Sequence, residues 1–160
     1  MDSSNPNRVK LTFQTLTQTQ KISSFGGALM SNFLDDVQAN LEGSLSNEAL
    51  QTKVNSYITQ YDTHNYLTES GEGMVIGTIL AISKNSLDWW LNPTNTSTNQ
   101  GGPRIAPWLA MDLLGAACGA GSSLLSDYWN DQPLNWKSAA AWGLGGAVCG
   151  SVGVRITRGR

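Results

Sequence analysis

Histidine and cysteine are almost missing from this chain. It has one His, His64, and two Cys, Cys118 and Cys149. Zinc sites need several Cys or His at short ligand spacing, and no histidine stands near either cysteine in the sequence. We therefore expect no metal and no cofactor. His64 lies in the polar turn Asp62-Thr63-His64-Asn65 and reads as an exposed surface residue. No Ser/His/Asp constellation can be named around it. Asp35 and Asp36 are adjacent carboxylates, but helix neighbours point in different directions, so they read as a solvated face. Gly71-Glu72-Gly73 lacks the strand–loop–helix context and the lysine of a phosphate loop. The expectation is that the chain is not an enzyme.

Charge is also scarce. Charged residues make up 14% of the chain, against about 25% in average soluble proteins. Hydrophobic residues, at 40%, are not short, which argues against disorder and for a chain that buries much of itself or touches a membrane. A net charge of −2 leaves no basic field for a polyanion, so no nucleic-acid partner is expected. The one local excess, Arg155, Arg158 and Arg160, reads as cations placed against a helix C-terminus and a solvated tail, with anionic-lipid contact as the other reading. Two cysteines are too few for a disulfide framework. They read as two buried thiols or as one bridge. Residues 1–24 are polar and lack the apolar core of a signal peptide; we expect an exported protein whose leader is absent.

What the sequence does contain is helical spacing, over a length of 160 residues that suits one domain. Residues 1–23 form a polar N-terminal arm in which Val9, Leu11 and Phe13 alternate with polar residues, a short strand-like pattern. Residues 24–160 read as a single helical domain. Phe25, Leu29, Phe33, Val37 and Leu41 recur every four residues and predict a helix over 24–41, stopped by Gly43. Ser46 is a good N-cap for a second helix carrying Leu50, Val54, Tyr57, Ile58 and Tyr61. A third runs over about 73–91, apolar almost all round in its first half and so expected at the centre of the core. Residues 92–106 are a Pro/Gly/Asn loop that holds an acceptor-like triplet, Asn95-Thr96-Ser97.

Residues 107–156 carry two further helices that look like an imperfect repeat. Gly115-Ala116-Ala117-Cys118-Gly119 matches Gly146-Ala147-Val148-Cys149-Gly150, each a G-x-x-x-G. Glycine inside a helix costs about 0.5–1 kcal/mol relative to alanine. Close approach of two backbones is the usual compensation. Gly115, Gly119, Gly143, Gly146 and Gly150 are the expected helix-contact positions, and Cys118 with Cys149 the one conceivable disulfide. Gly145, Cys149 and Gly153 form another row. The fold class is thus all-α: about five helices, three of them amphipathic and packed on a Gly/Ala-rich, glycine-zipper-like hairpin. The six tryptophans stand around that hairpin and read as large side chains filling space beside glycine, with Trp89 or Trp90 over Gly115 or Gly146. Asp112 interrupts the apolar run 105–125 and weighs against membrane insertion.

Two segments carry a resemblance. Gly26-Gly27-Ala28-Leu29-Met30-Ser31-Asn32-Phe33-Leu34-Asp35 resembles a segment of exported or lipid-anchored proteins of gut Bacteroidetes, and Ile82-Ser83-Lys84-Asn85-Ser86-Leu87-Asp88-Trp89-Trp90 resembles a later one that ends in Tyr-Trp. A Gly/Ala-rich tail follows there too. This chain departs by carrying Met30-Ser31 where a His is expected. The resemblance implies an exported location and carries no activity. The last third is also similar in composition to the hairpins of bacteriocins and other pore-formers. The expected function is that of a non-enzymatic exported or cell-envelope protein acting on a protein partner or on itself. The alternative is a membrane-active protein that inserts its hairpin.

Overall fold

The computed structural model describes residues 6–92 and 106–156. Among them the chain is all-α, with no strand. Seven helices follow in order: α1 (Pro6–Gln18), α2 (Ser24–Leu41), α3 (Asn47–Asp62), α4 (Asn65–Glu69), α5 (Gly71–Leu91), α6 (Ala106–Trp129) and α7 (Trp136–Ile156). The expectation of five helices is thus two short among the described residues, missing α1 and α4. The loop expected over 92–106 lies almost wholly outside the described residues.

The strand-like reading of the N-terminal arm gives way to a helix. Val9, Phe13 and Leu16 follow the i, i+4, i+7 spacing and are buried, whereas Leu11, the middle residue of the apparent alternation, is 59% exposed. Burying those three side chains contributes about 1.5–3 kcal/mol each, which an isolated helix of this length needs. The β-branched threonines that suggest a strand are accommodated by bonding backward: the hydroxyls of Thr12, Thr15 and Thr17 donate to the carbonyls of Arg8, Leu11 and Phe13. Lys10 ties α1 to α2 through Asp35 at 2.6 Å.

Serine caps start three helices. Ser23 Oγ accepts from Gly26 N–H at 3.0 Å, Ser46 Oγ from Ala49 N–H at 3.2 Å, and Ser70 Oγ from Gly73 N–H at 3.0 Å. Gly43, at φ +77°, ends α2 in the left-handed conformation. There Ser44 N–H reaches Ala39 O at 2.9 Å and Gly43 N–H reaches Asn40 O at 3.0 Å, which is the Schellman arrangement.

Helix α5 is the centre of the packing, as its apolar circumference predicts. It touches α2, α3, α4, α6 and α7, and Val75, Ile76, Ile79, Leu80 and Leu87 are all buried. Leu29, Met30, Phe33, Leu34 and Val37 of α2 belong to the same core as Leu113, Leu114 and Leu124 of α6. Asp35 and Asp36 do point apart, but not onto one solvated face. Asp36 turns toward α3, where it accepts from the Tyr57 hydroxyl and pairs with Lys53 at 3.0 Å.

That network gives a pH test. Burial, and then the Asp36 carboxylate, push ionisation of Tyr57 well above its ordinary value of 10.0. A group whose folded pKa is raised keeps its contribution below the unfolded pKa and loses it as pH rises toward the folded one. We expect stability to be insensitive to Tyr57 titration up to about pH 10 and to fall above it. Tyr57→Phe should flatten that alkaline limb in denaturant melts; an unchanged limb would show that Tyr57 is not its source.

Candidate functional site

The two long C-terminal helices meet through glycine. A Cβ built on Gly115 would lie 2.5 Å from the carbonyl oxygen of Gly146, and one on Gly146 would lie 2.1 Å from that of Gly115. One on Gly119 would lie 2.1 Å from the Trp142 carbonyl oxygen, and one on Gly143 would lie 3.3 Å from that of Ala116. Four of the five expected contact glycines therefore face the opposite backbone. The surroundings of Gly150 and the side chain of Cys149 are outside what the structure describes. Cys118 is a free thiol here, half-buried, with Sγ 3.9 Å from Ser122 Oγ.

The tryptophans do not take the places expected of them. Gly115 and Gly146 are filled by each other's backbone, not by an indole. Trp90 turns to α6, where its Nε1–H donates to Asp112 Oδ2 at 3.3 Å. The buried carboxylate that interrupts the apolar run thus serves the α5–α6 contact. Trp136 lies over Gly71 at the start of α5, where a Cβ would come within 2.3 Å of the indole Cδ1. Trp108 lies outside the described side chains.

His64 is half-buried, contrary to its reading as an exposed turn residue. It stacks on Phe25 with ring centroids 4.1 Å apart and meets Tyr66 edge-on at 6.4 Å. Its Nδ1 is buried without a hydrogen-bond partner. The reason is α4: this short helix brings the α3–α4 junction against the start of α2, a contact with no periodic signature in so few residues.

The feature least visible in the sequence is Glu72. It is 4% exposed and stands in the first turn of α5. Its Oε2 accepts from Ser23 N–H at 2.9 Å and its Oε1 from Ser23 Oγ–H at 2.7 Å. The carboxylate therefore sits at the N-termini of α2 and α5 together, where both helix dipoles favour an anion. Both oxygens are engaged internally, so this group joins two helices. Among the described residues no group of three His, Cys, Asp or Glu could hold a metal ion.

Large apolar side chains are exposed at several places, Trp89 and Trp129 among them, and two of them stand on α7. Ala139 and Gly143 are buried on its inner side. Lys137, Ala141, Trp142, Leu144 and Gly145 are all exposed, with Trp142 at 62% and Leu144 at 54%. A Cβ on Gly145 would meet nothing within 4 Å. Among the described residues, α7 thus carries exposed apolar side chains besides those it packs on α6. Scattered exposed apolar residues are ordinary; on α7, Ala141 and Gly145 share one side, with Trp142 and Leu144 at its two edges. No family model, curated protein or solved structure matches the chain.

Proposed function

We propose that this is a non-enzymatic protein of the exported or cell-envelope class that works by contact, with the outer face of α7 as its working surface and a protein partner or a second copy of the chain as the occupant. The observation that carries this reading is the exposed Ala141, Trp142, Leu144 and Gly145 cluster on a helix whose other side is clamped to α6. In this reading α6 and α7 act as a glycine-zipper-like hairpin that holds the face rigid. Export rests on the resemblance of segments 26–35 and 82–90.

Exchange of Trp142 and Leu144 for serine should leave the melting midpoint nearly unchanged, because neither is buried and surface changes stay within about 0.5 kcal/mol. The same pair should abolish concentration-dependent association in sedimentation velocity. Association that survives the double change would remove α7 from the argument.

The alternative is a membrane-active protein that inserts its hairpin, supported by the Gly/Ala-rich composition of residues 107–156. Among the described residues no helix is long and apolar enough to cross a membrane, and Asp112 is committed to Trp90. The contact reading is therefore preferred.

A further inference from the structure

The two cysteines occupy equivalent places in the repeat, Cys118 three residues after Gly115 and Cys149 three after Gly146. In the hairpin that equivalence drives them apart. Gly115 and Gly146 face each other and Gly119 faces Trp142, so α7 runs antiparallel to α6. A step forward along α6 is matched by a step back along α7. Cys118 therefore stands level with Gly143, whose Cβ would fall 3.3 Å from the Ala116 carbonyl oxygen and 3.5 Å from the Ala120 methyl, on either side of that cysteine along α6. Helix α7 continues for six residues from Gly143 to Cys149 and on to Ile156. At 1.5 Å per residue the two cysteines are offset by about 9 Å along the hairpin axis. A pair whose Cα atoms lie more than about 7 Å apart is not bridged without backbone movement. The axial offset alone exceeds that limit, before the separation of the helices is added. Sliding the helices to close it would carry Gly115, Gly119, Gly143 and Gly146 out of register and press Cβ atoms onto backbone where only glycine leaves room.

In the unfolded chain nothing holds the thiols apart. They stand 31 positions from each other, and closing a flexible loop of that length is entropically mild. We propose that a Cys118–Cys149 disulfide and the glycine-clamped hairpin exclude each other, which makes the pair a redox latch on folding. Closing the hairpin in the reduced chain keeps the thiols apart. Oxidising the chain first keeps the hairpin open. The oxidant is a small disulfide such as oxidised glutathione. One cysteine thiolate attacks it and releases one glutathione thiol, and the second cysteine thiolate displaces the other. One sulfur–sulfur bond forms in the chain as one is lost from the oxidant, which takes up two electrons and two protons.

The test treats the reduced full chain with oxidised glutathione, once folded and once in urea, and follows by intact mass the monomer that is lighter by two hydrogens. We expect that product in urea. In the folded chain it should form at least about a hundredfold more slowly, because bridging has to wait for the α6–α7 contact to open. The bridged chain diluted out of urea should lack the cooperative melt of the reduced chain, and dithiothreitol should restore it. Cys118→Ser should refold alike with and without the oxidant, which separates the latch from any other effect of glutathione. Three results would overturn the proposal. The first is bridging at equal rates in the folded and unfolded chain. The second is a bridged chain that refolds with the melting midpoint of the reduced one. The third is a lost melt that reduction does not restore, which would place its cause outside the disulfide.

Discussion

Gly146→Ala adds one methyl group and is expected to lower stability by about 2–4 kcal/mol, a fall of roughly 4–16 °C in melting midpoint for a chain of this size. The new Cβ would stand 2.1 Å from the Gly115 carbonyl oxygen. That oxygen belongs to the backbone of α6 and cannot rotate aside as a side-chain end would. The two helices must separate, and separation also loosens the contacts at Gly119 and Gly143. Intrinsic propensity pulls the other way, since alanine is favoured over glycine in a helix by about 0.8–1 kcal/mol. The sign of the change is therefore informative by itself. Gly145→Ala is the matched control one residue away. With nothing within 4 Å of its Cβ, it should stabilise by about 0.5–1 kcal/mol. Opposite signs at adjacent positions would assign the cost to the backbone contact. A neutral or stabilising Gly146→Ala would remove that contact as a source of stability.

That pair also marks how far the sequence can be read. The repeat of G-x-x-x-G identifies glycines whose helix cost needs compensation, and residues four apart share a face, so spacing alone singles out Gly115, Gly119 and Gly146. Caps are equally legible, because Ser46 before Leu50 is a local signal that needs no partner. Helix α1 is not, since Val9 and Phe13 satisfy both a period of two and a period of four. Only the burial of Leu16 and the exposure of Leu11 decide between them, and those depend on α2 and α6 being in place. The tryptophans escape the sequence for a related reason. Volume matching predicts that a large ring covers a glycine, yet it cannot say whether the space beside that glycine is already taken by another backbone. Glu72 and His64 give no sign of their structural roles because their partners, Ser23 and Phe25, are distant in sequence and carry no spacing that relates them.

Glu72 carries the second large effect. Glu72→Ala should destabilise by about 3 kcal/mol, through the loss of two charge-assisted hydrogen bonds and the space left behind. Gly26→Ala should also destabilise, by about 1–3 kcal/mol, because a Cβ there would fall 1.8 Å from Glu72 Oε1. The two costs share one atom. With the carboxylate gone, the remaining close neighbour of the new methyl is Ile76 Cδ1 at 2.9 Å, the free end of a flexible chain. The double variant should then be less destabilised than the sum of the singles by about 1–3 kcal/mol, measured by denaturant titration. Glu72→Gln separates size from charge. The amide fills the same volume as the carboxylate, so Gly26→Ala should cost nearly as much in the Glu72→Gln background as in the native chain. Glu72→Gln alone still loses the favourable placement of an anion between two helix N-termini. Additive costs in the alanine cycle would mean that Glu72 and Gly26 do not share the space at the α2–α5 junction, and that Ser23 alone fixes the entry of α2.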